Sequence, residues 1–93
     1  MELDDFQRLI EETFGERDRA RGVPSSVAWI AEEVGELAQA VRKGSHDDQV
    51  HELADVMAWL ASLANQLDVN LAEAIRRYAH GCPRCSSIPC RCP

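Results

Sequence analysis

The sequence predicts an all-α protein, a four-helix bundle followed by a short cysteine-rich tail. Apolar residues recur every three or four positions through most of the chain, as in amphipathic helices, and no stretch alternates as a strand would. Only 5% of the residues are aromatic, and the prolines lie outside the periodic stretches. We therefore expect a helical domain over residues 1–81 and a separate tail over residues 82–93.

The first helix is predicted over residues 3–21, because Gly22 to Pro24 form a stop signal. Its inward stripe would be Leu3, Phe6, Leu9, Ile10 and Phe14. The second helix is predicted over residues 26–43, begun by Pro24-Ser25-Ser26 and stopped by Gly44. Its inward stripe would be Val27, Ile30, Val34, Leu37 and Val41.

The third helix is expected to open at Ser45, with Asp48 completing a variant capping box, and to continue to about residue 67. Its inward residues would be Val50, Leu53, Met57, Leu60 and Ala64. A fourth helix should begin at Asn70 with Glu73 as a second capping box, and end near Gly81. It would bury Leu71, Ile75 and Tyr78. The short Gly44-Ser45 connection predicts that the second and third helices form an antiparallel hairpin.

Two acidic motifs lie on this hairpin. The second helix carries Glu32, Glu33 and Glu36, and the third carries Glu52 and Asp55. Carboxylates three apart on a helix project in neighbouring directions and repel one another unless a cation neutralises them. In the hairpin register Glu36 is level with Glu52, and Glu33 is level with Asp55. Magnesium prefers such hard oxygen ligands and commonly shares them with substrate phosphates. The motifs therefore predict a magnesium site, and the alternative is a solvated acidic face.

Two tryptophans are expected beside the carboxylates. Trp29 lies one turn before Glu33, and Trp59 lies one turn after Asp55. Flat aromatic surfaces next to a cation site are suited to stacking a nucleobase whose phosphates lie on the metal. The alternative that the two indoles are a packed core pair stays open.

The segment W-I-A-E-E-V-G-E-L over residues 29–37, with E-L-A-D-V over residues 52–56, resembles the MazG-type members of the all-α nucleoside triphosphate pyrophosphohydrolases. The resemblance implies a bundle assembled as a homodimer or homotetramer. It also implies Mg²⁺-dependent hydrolysis of a nucleoside triphosphate to the monophosphate and pyrophosphate. By motif position, the metal ligands would be Glu33, Glu36, Glu52 and Asp55. Glu32 matches an auxiliary position that orients or deprotonates water.

The chain departs from this family in its last helix. Members often carry a lysine and an asparagine there that approach the phosphates, whereas this chain has R-R-Y-A-H over residues 76–80. Arg77 is the candidate replacement for the lysine. It points away from the predicted buried face, so it would reach substrate only across an oligomer interface. The alternative is a solvated basic helix end that suits the helix dipole.

Other chemistries fit the sequence less well. The serines lack a recognisable His/Asp constellation for covalent catalysis, and a di-iron carboxylate bundle would need Glu-x-x-His motifs. The formal net charge of -6 argues against a nucleic-acid polymer as partner. No apolar run is long enough for a membrane span, and the acidic start is unlike a signal peptide, so we expect a cytoplasmic protein.

The tail gathers all four cysteines of the chain, Cys82, Cys85, Cys90 and Cys92. C-x-x-C is half of a typical tetrahedral zinc site, and C-x-C can also chelate. Four thiolates saturate zinc, so the ion would be structural. Disulfide or redox chemistry and unliganded thiols remain alternatives, and His80 is a possible substitute ligand.

The sequence supports two functional hypotheses. The first is a metal-dependent nucleotide pyrophosphohydrolase that removes non-standard or surplus nucleotides. The second is a non-catalytic module for oligomerisation or nucleotide sensing, with a zinc-stabilised tail.

Overall fold

A computed structural model describes every residue from Met1 to Pro93 and confirms the all-α class. Its helices are α1 (Leu3–Arg21), α2 (Val23–Lys43), α3 (His46–Gln66) and α4 (Leu71–Ala74), followed by a 3₁₀ turn at Ile75–Tyr78. No strand is present. The cysteine-rich tail follows the 3₁₀ turn and contains no regular element. No helix is both long enough and apolar enough to cross a membrane.

A single glycine joins α1 to α2. Gly22 has φ of 91°, in the left-handed region that favours glycine, and its N–H donates to the carbonyl of Asp18. Pro24 lies in the first turn of α2, where its fixed φ suits a helix and no N–H is required. The second helix therefore begins three residues before the predicted start at Ser26.

The α2/α3 hairpin turns at Gly44 and Ser45 as predicted. The Gly44 N–H donates to the Ala40 carbonyl, and a Cβ at Gly44 would lie 2.8 Å from that oxygen. The capping box is complete, because the Asp48 N–H donates to Ser45 Oγ at 3.1 Å and the Ser45 N–H donates to Asp48 Oδ2 at 3.0 Å. These local contacts set the register on which the carboxylate site depends.

Substituting Ser45 by alanine is expected to destabilise the fold by about 1 kcal/mol, because the first turn of α3 loses a capping acceptor. Urea unfolding followed by circular dichroism measures this loss. Ser45→Asn keeps an acceptor and should remain within about 0.5 kcal/mol of the parent. Equal stability of the alanine and asparagine variants would contradict a capping role.

The fourth helix is much shorter than predicted. Asn70 Oδ1 accepts from the Glu73 N–H at 2.8 Å, but the expected return bond from the Glu73 side chain does not form. Asn70 Nδ2 instead donates to Asp4 Oδ1 at 2.9 Å. Ile75 and Tyr78, which we expected to be buried, are exposed. Short helices depend on burying an apolar face, and without that burial α4 passes into a 3₁₀ turn.

The core lies where α1 and α2 pack on α3, and its buried apolar residues are Ile10, Ala40, Ala61 and Ala64. A buried glutamine joins α1 to the end of α3 and the start of α4. Gln7 Nε2 donates to the Val69 carbonyl at 2.7 Å and to Asn65 Oδ1 at 3.0 Å, and Gln7 Oε1 accepts from the Leu71 N–H at 2.9 Å. This polar connection could not be predicted from the sequence, because apolar periodicity does not report a buried amide.

Most of the predicted inward stripes of the hairpin are exposed in the single chain, contrary to expectation. The exposed positions form one apolar row on each helix, Val27, Val34 and Val41 on α2 and Val50, Leu53, Met57 and Leu60 on α3. At about 100° per residue, each row follows one face of its own helix. We call these seven residues the open apolar face.

Candidate functional site

The hairpin brings the predicted carboxylates together. Carboxylate oxygens of Glu33, Glu36 and Glu52 all lie within 4.8 Å of one another. Asp55 adjoins them, because a carboxylate oxygen of Asp55, one of Glu52 and a ring nitrogen of His51 also lie within 4.8 Å of one another. The register inferred from the Gly44-Ser45 turn therefore places the four predicted ligands in one cluster, at the junction of α2 and α3.

Two oxygens of this cluster are buried without a partner. Neither Glu33 Oε2 nor Glu52 Oε2 has a hydrogen-bond donor. Burial raises the pKa of Glu33 above its ordinary value, and the nearby charges of Glu36 and Asp55 raise it further. Burial also raises the pKa of Glu52, with a further contribution from Glu36. A carboxylate oxygen that has lost water and gained no donor is high in free energy, and a bound cation would compensate it. The donor set therefore fits Mg²⁺.

Two neighbours of the cluster differ in their contacts. Glu32 is exposed on α2 and is not among the grouped oxygens. His51 is exposed on α3, and its Nε2 lies 3.3 Å from Asp55 Oδ2. The four-residue spacing of His51 and Asp55 on one helix could have indicated this contact.

A cleft of about 350 Å³ opens beside the cluster, between α1 and the hairpin. Glu33 and Asp55 line it from the hairpin, together with Trp59. Helix α1 contributes Ile10, Phe14, Arg17, Asp18 and Arg21. The sequence analysis missed this helix as a source of site residues, although the four-residue spacing of Arg17 and Arg21 places both on one side of α1.

Buried hydrogen bonds support the deep side of the cleft. Ser62 Oγ donates to Asp18 Oδ2 at 2.6 Å, which joins α3 to α1. Gln66 Nε2 donates to Ser26 Oγ at 2.8 Å and to Ser62 Oγ at 3.2 Å. Because buried polar groups linked in this way are held in one arrangement, the network fixes α1 against the hairpin.

The two tryptophans stack on each other. Their ring centroids are 5.8 Å apart and their planes differ by 6°. A base inserted between two parallel rings needs roughly 7 Å, twice the optimal contact distance of carbon atoms, so no base fits between the indoles in this arrangement. Trp59 lines the cleft, whereas Trp29 does not. Arg77 lies outside the cleft, with its guanidinium 5.4 Å from the centre of the Tyr78 ring.

The four cysteines of the tail form a second cluster. Their sulfur atoms all lie within 4.8 Å of one another, and none is in a disulfide. The N–H groups of Arg91 and Ser87 lower the pKa of Cys85 to about 6, whereas the neighbouring thiols, Cys90 first, raise the pKa of Cys92 to about 11. The cluster can hold a metal such as zinc, and His80 is not part of it.

Two comparisons with known proteins found sequences similar to this chain. The sequence model of the MazG nucleotide pyrophosphohydrolase domain matches residues 21–84, which include both acidic motifs. A relative from Bacillus subtilis (strain 168), named "Uncharacterized protein YpjD", is 33% identical over 89 aligned positions, and the match covers 84% of this chain and 80% of the relative. "Gene 37 protein" of Mycobacterium phage L5 is 35% identical over 74 aligned positions, and the match covers 68% of this chain and 65% of the phage protein.

Proposed function

This chain belongs to the MazG nucleotide pyrophosphohydrolase family, and from that premise we propose that it hydrolyses nucleoside triphosphates to the monophosphate and pyrophosphate with Mg²⁺. The observation that carries the proposal is the pair of buried, unpartnered oxygens on Glu33 and Glu52. Surface carboxylates are normally hydrated, so an acidic cluster with unsatisfied oxygens beside a cleft favours a cation site over a solvated face.

In this proposal Glu33, Glu36, Glu52 and Asp55 hold the magnesium. Bound Mg²⁺ would supply neutralisation of phosphate charge and a more acidic attacking water. Glu32, exposed beside this group, is the candidate for orienting that water or accepting its proton. The cysteines take no part, because a metal bound by four thiolates has no open position for substrate.

The cleft suggests how a nucleotide would lie. Trp59 and Phe14 give it an apolar wall suited to one face of a base. Arg17 and Arg21 place positive charge in the same cleft as Glu33 and Asp55, where it would balance phosphate oxygens beyond the metal. We propose this orientation in place of the two-tryptophan site that the sequence alone suggested, and Arg77 reaches a substrate only from another protomer.

The proposal is tested by measuring pyrophosphate and orthophosphate release from a panel of nucleoside triphosphates with Mg²⁺. We expect pyrophosphate from at least one nucleotide, and a loss of about 100-fold or more in kcat/KM for Glu36→Gln and Asp55→Asn. Glu12→Gln, an exposed change on α1 outside the cleft, is the control and should keep full activity. Turnover of no nucleotide, or full activity in both site variants, would overturn the proposal.

We also propose that the chain functions as a homodimer or homotetramer. Its accessible surface is 6840 Å², whereas a compact monomer of its mass should expose about 5,400 Å². The radius of gyration is 15.4 Å, against about 12 Å expected for a compact chain of this length. The excess surface of about 1,400 Å² is more than one partner contributes to a standard interface, about 800 Å². The open apolar face supplies part of the exposed apolar area.

The same face supports the second candidate function, a module for oligomerisation or nucleotide sensing without hydrolysis. Such a module would bind nucleotide and Mg²⁺ in equilibrium dialysis while releasing no pyrophosphate, so the activity panel separates the two functions. For either function we propose a cytoplasmic location, where thiols such as those of the tail stay reduced.

A further inference from the structure

The spacing of the four cysteine sulfurs in the tail is that of a metal site. Cys82 Sγ lies 3.7 Å from Cys92 Sγ, and Cys85 Sγ lies 4.0 Å from Cys90 Sγ. A disulfide would need about 2.05 Å between sulfurs. Four sulfurs at about 2.3 Å from a central Zn²⁺ form a tetrahedron with edges of about 3.8 Å. Both observed separations are close to that edge.

The backbone folds back to bring the two chelating pairs together. The Ser86 N–H donates to the Cys82 carbonyl at 2.7 Å, and the Cys82 N–H donates to the Ser87 carbonyl at 3.1 Å. Gly81 has φ of 101°, and a Cβ there would lie 2.5 Å from Ile88 Cγ1. The reversal therefore requires glycine at the point where the tail leaves the helical domain.

Main-chain donors also point at the sulfurs. The Arg91 N–H donates to Cys85 Sγ at 3.3 Å, and the Cys92 N–H donates to Cys90 Sγ at 3.4 Å. Hydrogen bonds of this kind favour the negatively charged sulfur that a metal requires. Zn²⁺ with four thiolates carries a net charge of about -2, and the interleaved Arg84 and Arg91 supply the opposite charge.

Apolar burial does not account for the order of the tail. Ile88 is its only large aliphatic side chain and is 80% exposed. A segment of this size without a core depends on a disulfide or a metal to stay folded. The sulfur separations exclude disulfides in this arrangement, and soft thiolate donors disfavour Mg²⁺.

We propose that Cys82, Cys85, Cys90 and Cys92 of one chain bind one Zn²⁺ in a closed, structural site. The site is intramolecular and independent of the nucleotide reaction, because every position of the tetrahedron is filled by a sulfur of the same chain. Binding of the ion folds the tail. Removal of the ion leaves the helices unchanged.

Metal analysis of the full chain, purified under reducing conditions, tests this proposal. We expect one zinc per chain, and after exchange with Co²⁺ the strong thiolate-to-cobalt charge-transfer bands of a tetrahedral sulfur site. Cys90→Ser should weaken zinc binding about tenfold or more, while the helical circular dichroism stays unchanged. His80→Ala, which removes the possible substitute ligand, is the matched control and should retain the ion.

Three outcomes would overturn the assignment: a reduced chain without bound zinc that gives no cobalt bands, iron in place of zinc, or half an ion per chain, which would indicate bridging between protomers. The result is separable from the pyrophosphohydrolase test. Cys90→Ser should bind zinc about tenfold or more weakly yet retain the pyrophosphate release of the parent, whereas Glu36→Gln should keep the zinc affinity of the parent and lose that activity.

Discussion

Replacing Glu33 with glutamine is expected to reduce pyrophosphate release strongly and, at the same time, to stabilise the metal-free protein at neutral pH. Glu33 Oε2 is buried without a donor, and burial together with Glu36 and Asp55 raises the pKa of this carboxyl. Glutamine removes the charge and one proposed ligand while keeping the shape. We expect kcat/KM to fall about 100-fold or more. Relief of like-charge repulsion, about 0.2–0.5 kcal/mol, should raise the Tm by about 1–3 °C.

The same charges give a pH dependence of definite sign. Because the pKa values of Glu33 and Glu52 are raised above the ordinary 4.5 in the folded state, the native chain holds more protons than the unfolded chain just above that pH. The free energy of unfolding that these two groups contribute therefore falls as the pH rises above about 4.5. Mg²⁺ should raise the Tm more at about pH 7 than at about pH 5, because protonation competes with metal binding at the lower pH.

Thermal melts of the parent, Glu33→Gln and the control Glu12→Gln, at both pH values and with and without Mg²⁺, measure these effects. The parent and the control should show the Mg²⁺ shift, and Glu33→Gln should lose most of it. A Tm that is lower for Glu33→Gln than for the parent, at neutral pH without metal, would contradict this account. It would mean that a donor or a cation other than Mg²⁺ stabilises the Glu33 carboxylate.

The parts of the site that depend on local rules could be predicted from the sequence. Gly44 and the capping box of Ser45 and Asp48 fix the hairpin turn, and the helical repeat then determines which carboxylates on α2 meet those on α3. The cysteine spacing likewise predicted convergence, because C-x-x-C and C-x-C bring sulfurs together within one turn of chain.

The remainder depends on tertiary packing that periodicity does not report. An apolar stripe shows which side of a helix avoids water, but not whether a helix of the same chain or another protomer covers it. This is why Arg17, Arg21 and Asp18 of α1 were missed as cleft residues, and why the stripes of the hairpin were assigned to an internal core. The fourth helix was overestimated for the same reason, since Ile75 has no partner surface to bury it.

Replacing Leu53 with aspartate is expected to separate the protomers and to reduce stability by several kcal/mol. In the single chain this side chain is 51% exposed, and an exposed substitution should cost no more than about 0.5 kcal/mol. In a protomer interface the aspartate would be an unpaired buried charge, which costs about 3–5 kcal/mol. The size of the loss therefore distinguishes an open monomer from an oligomer closed over the open apolar face.

Leu9→Asp on α1 is a matched control, because Leu9 is the same residue type and is 48% exposed but lies outside the open apolar face. Light scattering should find an oligomer for the parent and Leu9→Asp, and a smaller species for Leu53→Asp. The urea midpoint of the parent should rise with protein concentration, since association stabilises only folded chains. A monomeric parent, or equal small losses in both variants, would contradict the oligomer.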